Sequence, residues 1–339
     1  MSLALVATPV EVLAANKSSS KRIGVSNKKH FINVSSRKAY SKRVSLRLRA
    51  ARQVQLQRQQ EKDLGVNYDG SGLLQLASSK ALIINQNTGE VVYAKNTNSP
   101  SPIASITKLM TAMVMLDAKQ SLDEMIYVSE QDVDFVKGTR SRLFVGAGLV
   151  RGDMLQLALM ASENRAASAL ASNYPGGQPA FVKAMNAKAL ALGLANTHFV
   201  DATGLESENV STAEDLAKMV QAAYQYQEIR MATTSPSHEV YISEREYPTN
   251  FVNTNGLVRA GEWEIGLSKT GFINEAGRCL VMQAKITGEP MIIVLLDSYG
   301  KLTRIGDANR IRKWMEYNST TTTGANTGAP NVVMAGKIS

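Results

Sequence analysis

Residues 264–297 read EIGLSKTGFINEAGRCLVMQAKITGEPMIIVLLD. Three strand-like apolar runs, Glu264–Ile273, Arg278–Ile286 and Met291–Asp297, are separated by short turns at Asn274–Gly277 and Thr287–Pro290. Connections this short join antiparallel neighbours, because a parallel pair needs a crossover of a dozen or more residues. Two further strands are predicted early in the chain, at Lys80–Asn85 and Val91–Lys95, with Asn87-Thr88-Gly89 as the hairpin turn.

Helices fill the middle. After the rigid loop Ser99-Pro100-Ser101-Pro102, the residues Ile106, Leu109, Met110, Met113, Val114 and Leu116 recur at helical spacing and predict a core-facing stripe. Leu155–Ala161, a helix from about Arg165 to Ser172, Pro179–Leu192 and Thr212–Gln225 follow, the last with Thr212 and Asp215 spaced for a cap. Gly306–Tyr317 reads as a closing helix. The expected fold class is therefore α/β: a five-stranded antiparallel sheet flanked by helices, plus a helical subdomain.

The net charge of +9 is unevenly placed: residues 1–60 hold 13 of the 38 Lys and Arg but only one acid, Glu11. The rest is slightly acidic, so the basic character belongs to a tail that suits a solvated arm or attraction to an anionic envelope surface. No reading motif for nucleic acid accompanies it. Residues 1–15 are expected to be a weak or truncated signal segment, 16–62 a basic disordered region, 63–318 the domain that carries the motifs described below and 319–339 a disordered tail. No apolar run reaches the ~18 residues that span a bilayer. The single cysteine, Cys279, lies in an apolar run and reads as a buried thiol. No metal-ligand spacing or phosphate-binding glycine loop is present in the sequence, and no cofactor is implied.

Three short motifs stand in order: Ser105-Ile106-Thr107-Lys108, Ser162-Glu163-Asn164 and Lys269-Thr270-Gly271. Ser-x-x-Lys recurs at Ser18, Ser26, Ser35 and Ser298, but only at Ser105 does it follow a proline loop and open an apolar helix. Residues three apart share a helix face, so Lys108 can reach the Ser105 hydroxyl. A serine needs a base, and an ordinary lysine at pKa about 10.4 is protonated at neutral pH. Lys108 is therefore expected to be pushed towards neutrality by burial, by the cation Lys269 and by the positive end of its helix. Taken singly, the motifs have plainer readings: Ser162 and Asn164 suit helix capping, and Lys269 and Thr270 suit an exposed strand. The histidines, His30, His198 and His238, offer no conventional triad.

Together these motifs resemble the signature of penicillin-binding proteins and class A β-lactamases. The runs Met160–Ala167, Leu267–Arg278 and Asn209–Leu216 are similar to the D-alanyl-D-alanine endopeptidases of the low-molecular-mass penicillin-binding group. The resemblance implies Ser105 as nucleophile, Lys108 as base and Ser162 as proton relay. It gives Asn164, Lys269, Thr270, Gly271 and Phe272 to substrate, with the backbone N–H groups of Ser105 and Phe272 as the oxyanion hole. It implies peptidoglycan stem peptides and cross-links as partners, β-lactams as inhibitors and a periplasmic location. No Glu-x-x-Leu-Asn element lies between Asn164 and Lys269, so slow release of penicillin is expected. The shortness of the segment after Gly271 favours endopeptidase. D-Ala-D-Ala carboxypeptidase is the alternative, with a non-catalytic β-lactam sensor or a wall-binding module behind it. No carboxypeptidase-type arginine is evident in Thr254-Asn255-Gly256-Leu257.

Overall fold

The computed structural model describes residues 74–324. The expected signal segment, the basic region and residues 325–339 lie outside the described residues. The chain opens with β1 (Lys80–Asn85) and β2 (Val91–Lys95), then a two-residue strand β3 (Ser101–Pro102), a 3-10 turn over Ala104–Thr107 and helix α1 (Lys108–Asp117). A ribbon of β4 (Met125–Tyr127) and β5 (Gly148–Val150) leads into α2 (Arg151–Met160), α3 (Asn164–Ser172) and α4 (Gly177–Ala191). Next come β6 (Val210–Ser211), α5 (Ala213–Ala223), α6 (Gln227–Thr234), a second ribbon of β7 (Ser237–Val240) and β8 (Thr249–Val252), and α7 (Gly256–Ala260). The chain closes through β9 (Ile265–Ile273), β10 (Gly277–Ile286), β11 (Glu289–Ser298) and α8 (Thr303–Gly324).

The five-stranded sheet has the order β2-β1-β11-β10-β9, and every neighbouring pair is antiparallel. Side chains alternate across it. In β10 and β11, Val281, Ile292, Val294 and Leu296 join the core shared with the central helices, while Leu280, Met282, Ile293 and Leu295 join the core under α8. Both faces are covered, which is why these strands read as continuous apolar runs. The β1–β2 turn is held by Asn85, whose Oδ1 accepts from the N–H groups of Asn87 and Thr88 at 2.9 and 3.1 Å. The Thr212 cap on α5 is present, with Thr212 Oγ1 accepting from Asp215 N at 3.1 Å.

Two expectations are corrected. Helix α1 is buried on all sides from Lys108 to Met115, not along one stripe, because α2, α3, α4 and α5 surround it. Helix α8 begins at Thr303 and runs to Gly324, into the segment expected to be a disordered tail. The threonine run 320–323 has no apolar pattern to announce a helix, and α8 simply continues through it. The ribbons and helices α6 and α7 were also illegible as elements, since each strand has only three or four residues and the helices five to eight. Among the described residues no helix is long and apolar enough to cross a membrane.

Candidate active site

Ser105 sits in the 3-10 turn that leads into α1, so the turn rather than the α-helix itself carries it. Its predecessor Ala104 has a left-handed backbone (φ 48°). The turn is held from two sides by close backbone approach. A Cβ on Gly204 would lie 2.0 Å from the Ala104 carbonyl oxygen. A Cβ on Gly271 would lie 2.9 Å from Ile103 O and 3.1 Å from Ser105 N. Gly271 is thus required for packing the edge strand β9 against the serine turn, a different use from leaving room for substrate.

Lys108 is 1% exposed. Its Nζ donates to Asn164 Oδ1 at 2.7 Å and to the Thr203 carbonyl at 2.6 Å, and lies 2.9 Å from Ser105 Oγ. Two of these partners only accept, whereas a hydroxyl can donate or accept. A neutral amine has two N–H bonds and one lone pair, so the geometry turns the lone pair towards the serine proton. Burial lowers the Lys108 pKa from its ordinary value to about 7, against the opposing charges of Asp201 and Glu163. The cause is therefore desolvation. The repulsion expected between the two lysines falls on Lys269, whose pKa is held well below the usual range by burial and by the charge of Lys108.

Ser162 links α2 to α3 with a left-handed backbone (φ 59°). Its Oγ accepts from Lys269 Nζ at 2.8 Å, and Lys269 also donates to the Thr270 carbonyl at 2.9 Å. The capping reading fails: the N-cap of α3 is Glu163, with no side-chain cap bond. Ser162 is instead held in an uncommon conformation that faces the β9 lysine. Asn164 bridges two partners, since its Nδ2 also donates to Thr139 Oγ1 at 3.0 Å.

These groups meet at one cavity of about 420 Å³, lined by Ser105, Ser162, Asn164, Thr270, Gly271 and Phe272. Lys108 and Lys269 are bonded to its serines from the buried side. All eight residues singled out by sequence are therefore brought together. The two described histidines are not: His238 pairs with Asp153 at 2.8 Å and His198 forms a bridge with Val210. Cys279 is buried and its thiol is pushed up to about 11 by burial. Among the described residues no group of His, Cys, Asp and Glu could hold a metal ion.

Several site groups escaped the sequence reading. The Thr203 carbonyl is presented by a loop that Asp201 clasps, its carboxylate accepting from Thr203 N at 3.1 Å and Gly204 N at 3.0 Å. Asn209, fully buried, accepts from Val200 N and Asp201 N and donates to Thr107 Oγ1, tying that loop to the serine turn. Thr254 Oγ1 accepts from Thr270 Oγ1 at 2.7 Å. Arg304, at the start of α8, lines the same cavity; its Nε and Nη1 are buried with no hydrogen-bond partner. No spacing rule connects Arg304 to the three motifs, but a lone Thr-Arg pair opening the helix after the last strand is the signal that was available.

The fold is that of the DD-peptidases and transpeptidases. The crystal structure of the Streptomyces K15 DD-transpeptidase superposes with a TM-score of 0.67 at 28% identity, over 72% of this chain and 98% of that one. The D-alanyl-D-alanine endopeptidase of Pseudomonas aeruginosa is 51% identical over 247 residues, 73% of this chain and 80% of the relative. The endopeptidase of Escherichia coli is 48% identical over 71% of this chain and 78% of the relative. The profile of the D-alanyl-D-alanine carboxypeptidase family matches residues 67–300, and this chain belongs to that family.

Proposed function

We propose that the protein is a serine D-alanyl-D-alanine endopeptidase that hydrolyses the D-Ala cross-links of peptidoglycan through an acyl-enzyme on Ser105. The observation that carries this reading is Lys108: a buried amine with a pKa of about 7, two acceptor-only partners and Ser105 Oγ at 2.9 Å. Neutral Lys108 takes the hydroxyl proton as Ser105 Oγ attacks the D-alanine carbonyl. The oxyanion forms between the N–H groups of Ser105 and Phe272, donors aimed at charge that develops only in the transition state. As the C–N bond breaks, Ser162 O–H protonates the leaving amine, and the proton that Lys108 took from Ser105 makes good the one Ser162 gives up, with Lys269 holding the Ser162 hydroxyl in place, so that Lys108 is neutral again. Water then attacks the ester, Lys108 taking its proton and passing it to Ser105 Oγ as the ester C–O bond breaks and the serine leaves as the alcohol.

Asn164 orients Lys108 and keeps one amide hydrogen for a substrate carbonyl. Arg304, Thr270 and Thr254 receive the carboxylate beside the scissile nitrogen. That supplies the arginine missing from the Thr254–Leu257 segment. A buried guanidinium with unsatisfied donors is costly unless an anion completes it, and a bidentate carboxylate matches its fork. The working place of such an enzyme is the periplasm, where cross-linked wall is found, and the basic N-terminal region suits contact with an anionic envelope surface. The names of the Pseudomonas aeruginosa and Escherichia coli relatives favour endopeptidase over carboxypeptidase.

The test is incubation with cross-linked muropeptide dimers and with monomeric pentapeptides, read by mass, beside labelling with fluorescent penicillin. Dimers are expected to be split to monomers and Ser105→Ala to abolish both labelling and cleavage. Labelling that survives Ser105→Ala, or trimming of pentapeptides with no cleavage of dimers, overturns the reading.

A further inference from the structure

Arg278 is the cation that neither the mechanism nor the sequence motifs use. It stands opposite Phe272 in the β9–β10 register, and its guanidinium lies 4.4 Å from the centre of the Phe272 ring. Phe272 is 50% exposed and lines the catalytic cavity, as does Arg304. Thr270 and Phe272 alternate onto the sheet face that carries α8, and so do their partners Leu280 and Arg278. Arg278 and Arg304 are thus held on one face beside the same cavity. The charge of Arg278, after burial, is a cause of the lowered pKa of Arg304. Among the described residues Arg278 makes no ion pair and Arg304 has two buried nitrogens unpartnered. Lys137, the other cation of the cavity wall outside the lysines below it, is already neutralised by Glu275 at 2.6 Å. Two like charges gathered without a counter-charge fit a ligand that brings more than one anion.

The two candidate substrates differ in that respect. Cleavage of a terminal D-alanine releases a leaving group with one carboxylate, the one next to the scissile nitrogen. In a cross-link the leaving amine belongs to a diamino acid still attached to a second stem peptide, which carries further carboxylates a few bonds away. We propose that Arg278, held on the Phe272 ring beside Arg304, binds a second carboxylate on the acceptor stem and so selects cross-linked peptides over pentapeptides. This inference rests on the endopeptidase reading above. The Phe272 face shields one side of the planar guanidinium from water, which raises the strength of the ion pair it can make.

The test compares wild type, Arg278→Gln and Arg278→Lys on three substrates: a cross-linked muropeptide dimer, the same dimer with the distal carboxylates of its acceptor stem amidated, and a monomeric pentapeptide. Arg278→Gln is expected to lower kcat/KM on the dimer about tenfold more than on the pentapeptide, chiefly through KM, and Arg278→Lys to restore part of that difference. On the amidated dimer wild type and Arg278→Gln should differ no more than they do on the pentapeptide. The rate of acylation by fluorescent penicillin reports that each variant is folded. Equal losses on all three substrates would mean that Arg278 only supports Phe272, and would overturn the inference while leaving the endopeptidase reading intact. A wild type that fails to cut the dimer overturns both.

Discussion

Acylation should follow the protonation of one amine. With Lys108 at about 7, about half the molecules hold the neutral base at pH 7, roughly a tenth at pH 6 and about nine-tenths at pH 8. A lysine at its free value of about 10.4 would be neutral in only about one molecule in 2,500 at pH 7. The second-order rate of acylation by a fluorescent penicillin should therefore rise about fivefold from pH 6 to pH 7, less than twofold from 7 to 8, and then level. The same burial tilts stability. The folded pKa lies below the unfolded one, so the unfolded chain binds the extra proton between about pH 7 and 10. Stability contributed by this group accordingly rises with pH through that window and is lost as pH falls, by about 4 kcal/mol at pH 7 relative to strongly alkaline solution. Rapid-mixing measurements across pH 5.5–9 give the rate profile. A rate that is flat from pH 6 to 8, or that keeps climbing tenfold per pH step to pH 10, refutes the argument that desolvation makes Lys108 the base.

Glu163 opposes the lowering of Lys108 by its charge, so Glu163→Gln should move the inflection of the same profile to lower pH; a shift to higher pH would contradict the assignment. Gly271→Ala places a methyl 2.9 Å from Ile103 O, forcing β9 off the serine turn. Acylation should fall about a hundredfold, since displacements near 1 Å at a reacting centre cost that much, and thermal melting should show a lower Tm. Arg304→Leu removes a buried guanidinium with two unsatisfied donors; it should raise stability by about 1–3 kcal/mol in urea titration while raising KM for peptide substrates. Loss of both stability and affinity would show that Arg304 is a structural strut.

The sheet and the order of the motifs were legible because both rest on short-range rules. Apolar runs with two-to-four-residue turns specify antiparallel neighbours, and a serine and lysine three apart must share a face. Less accessible was anything assembled by long loops. Thr203 contributes a backbone carbonyl, and no side-chain code marks which carbonyl faces a lysine. Arg304 lies 33 residues beyond Gly271, in the first turn of α8, and its importance is visible only as two donors with nothing to bind. The lowering of Lys108 by burial was legible and complete enclosure of α1 makes it dominant, while the repulsion also expected from Lys269 is not among its causes. Asn164 was expected to serve substrate alone, and its bond to Lys108 became apparent only with the α1–α3 packing in place.

The enclosure of α1 also governs how the protein comes apart. Its amides from Leu109 to Met115 have no route to solvent short of separating the four helices around them. Deuterium uptake there should report the opening of the whole molecule. Catalytic competence and global integrity are in this sense a single quantity: heat or denaturant cannot first loosen the base and later melt the scaffold, and activity should vanish along the same curve as the helical signal.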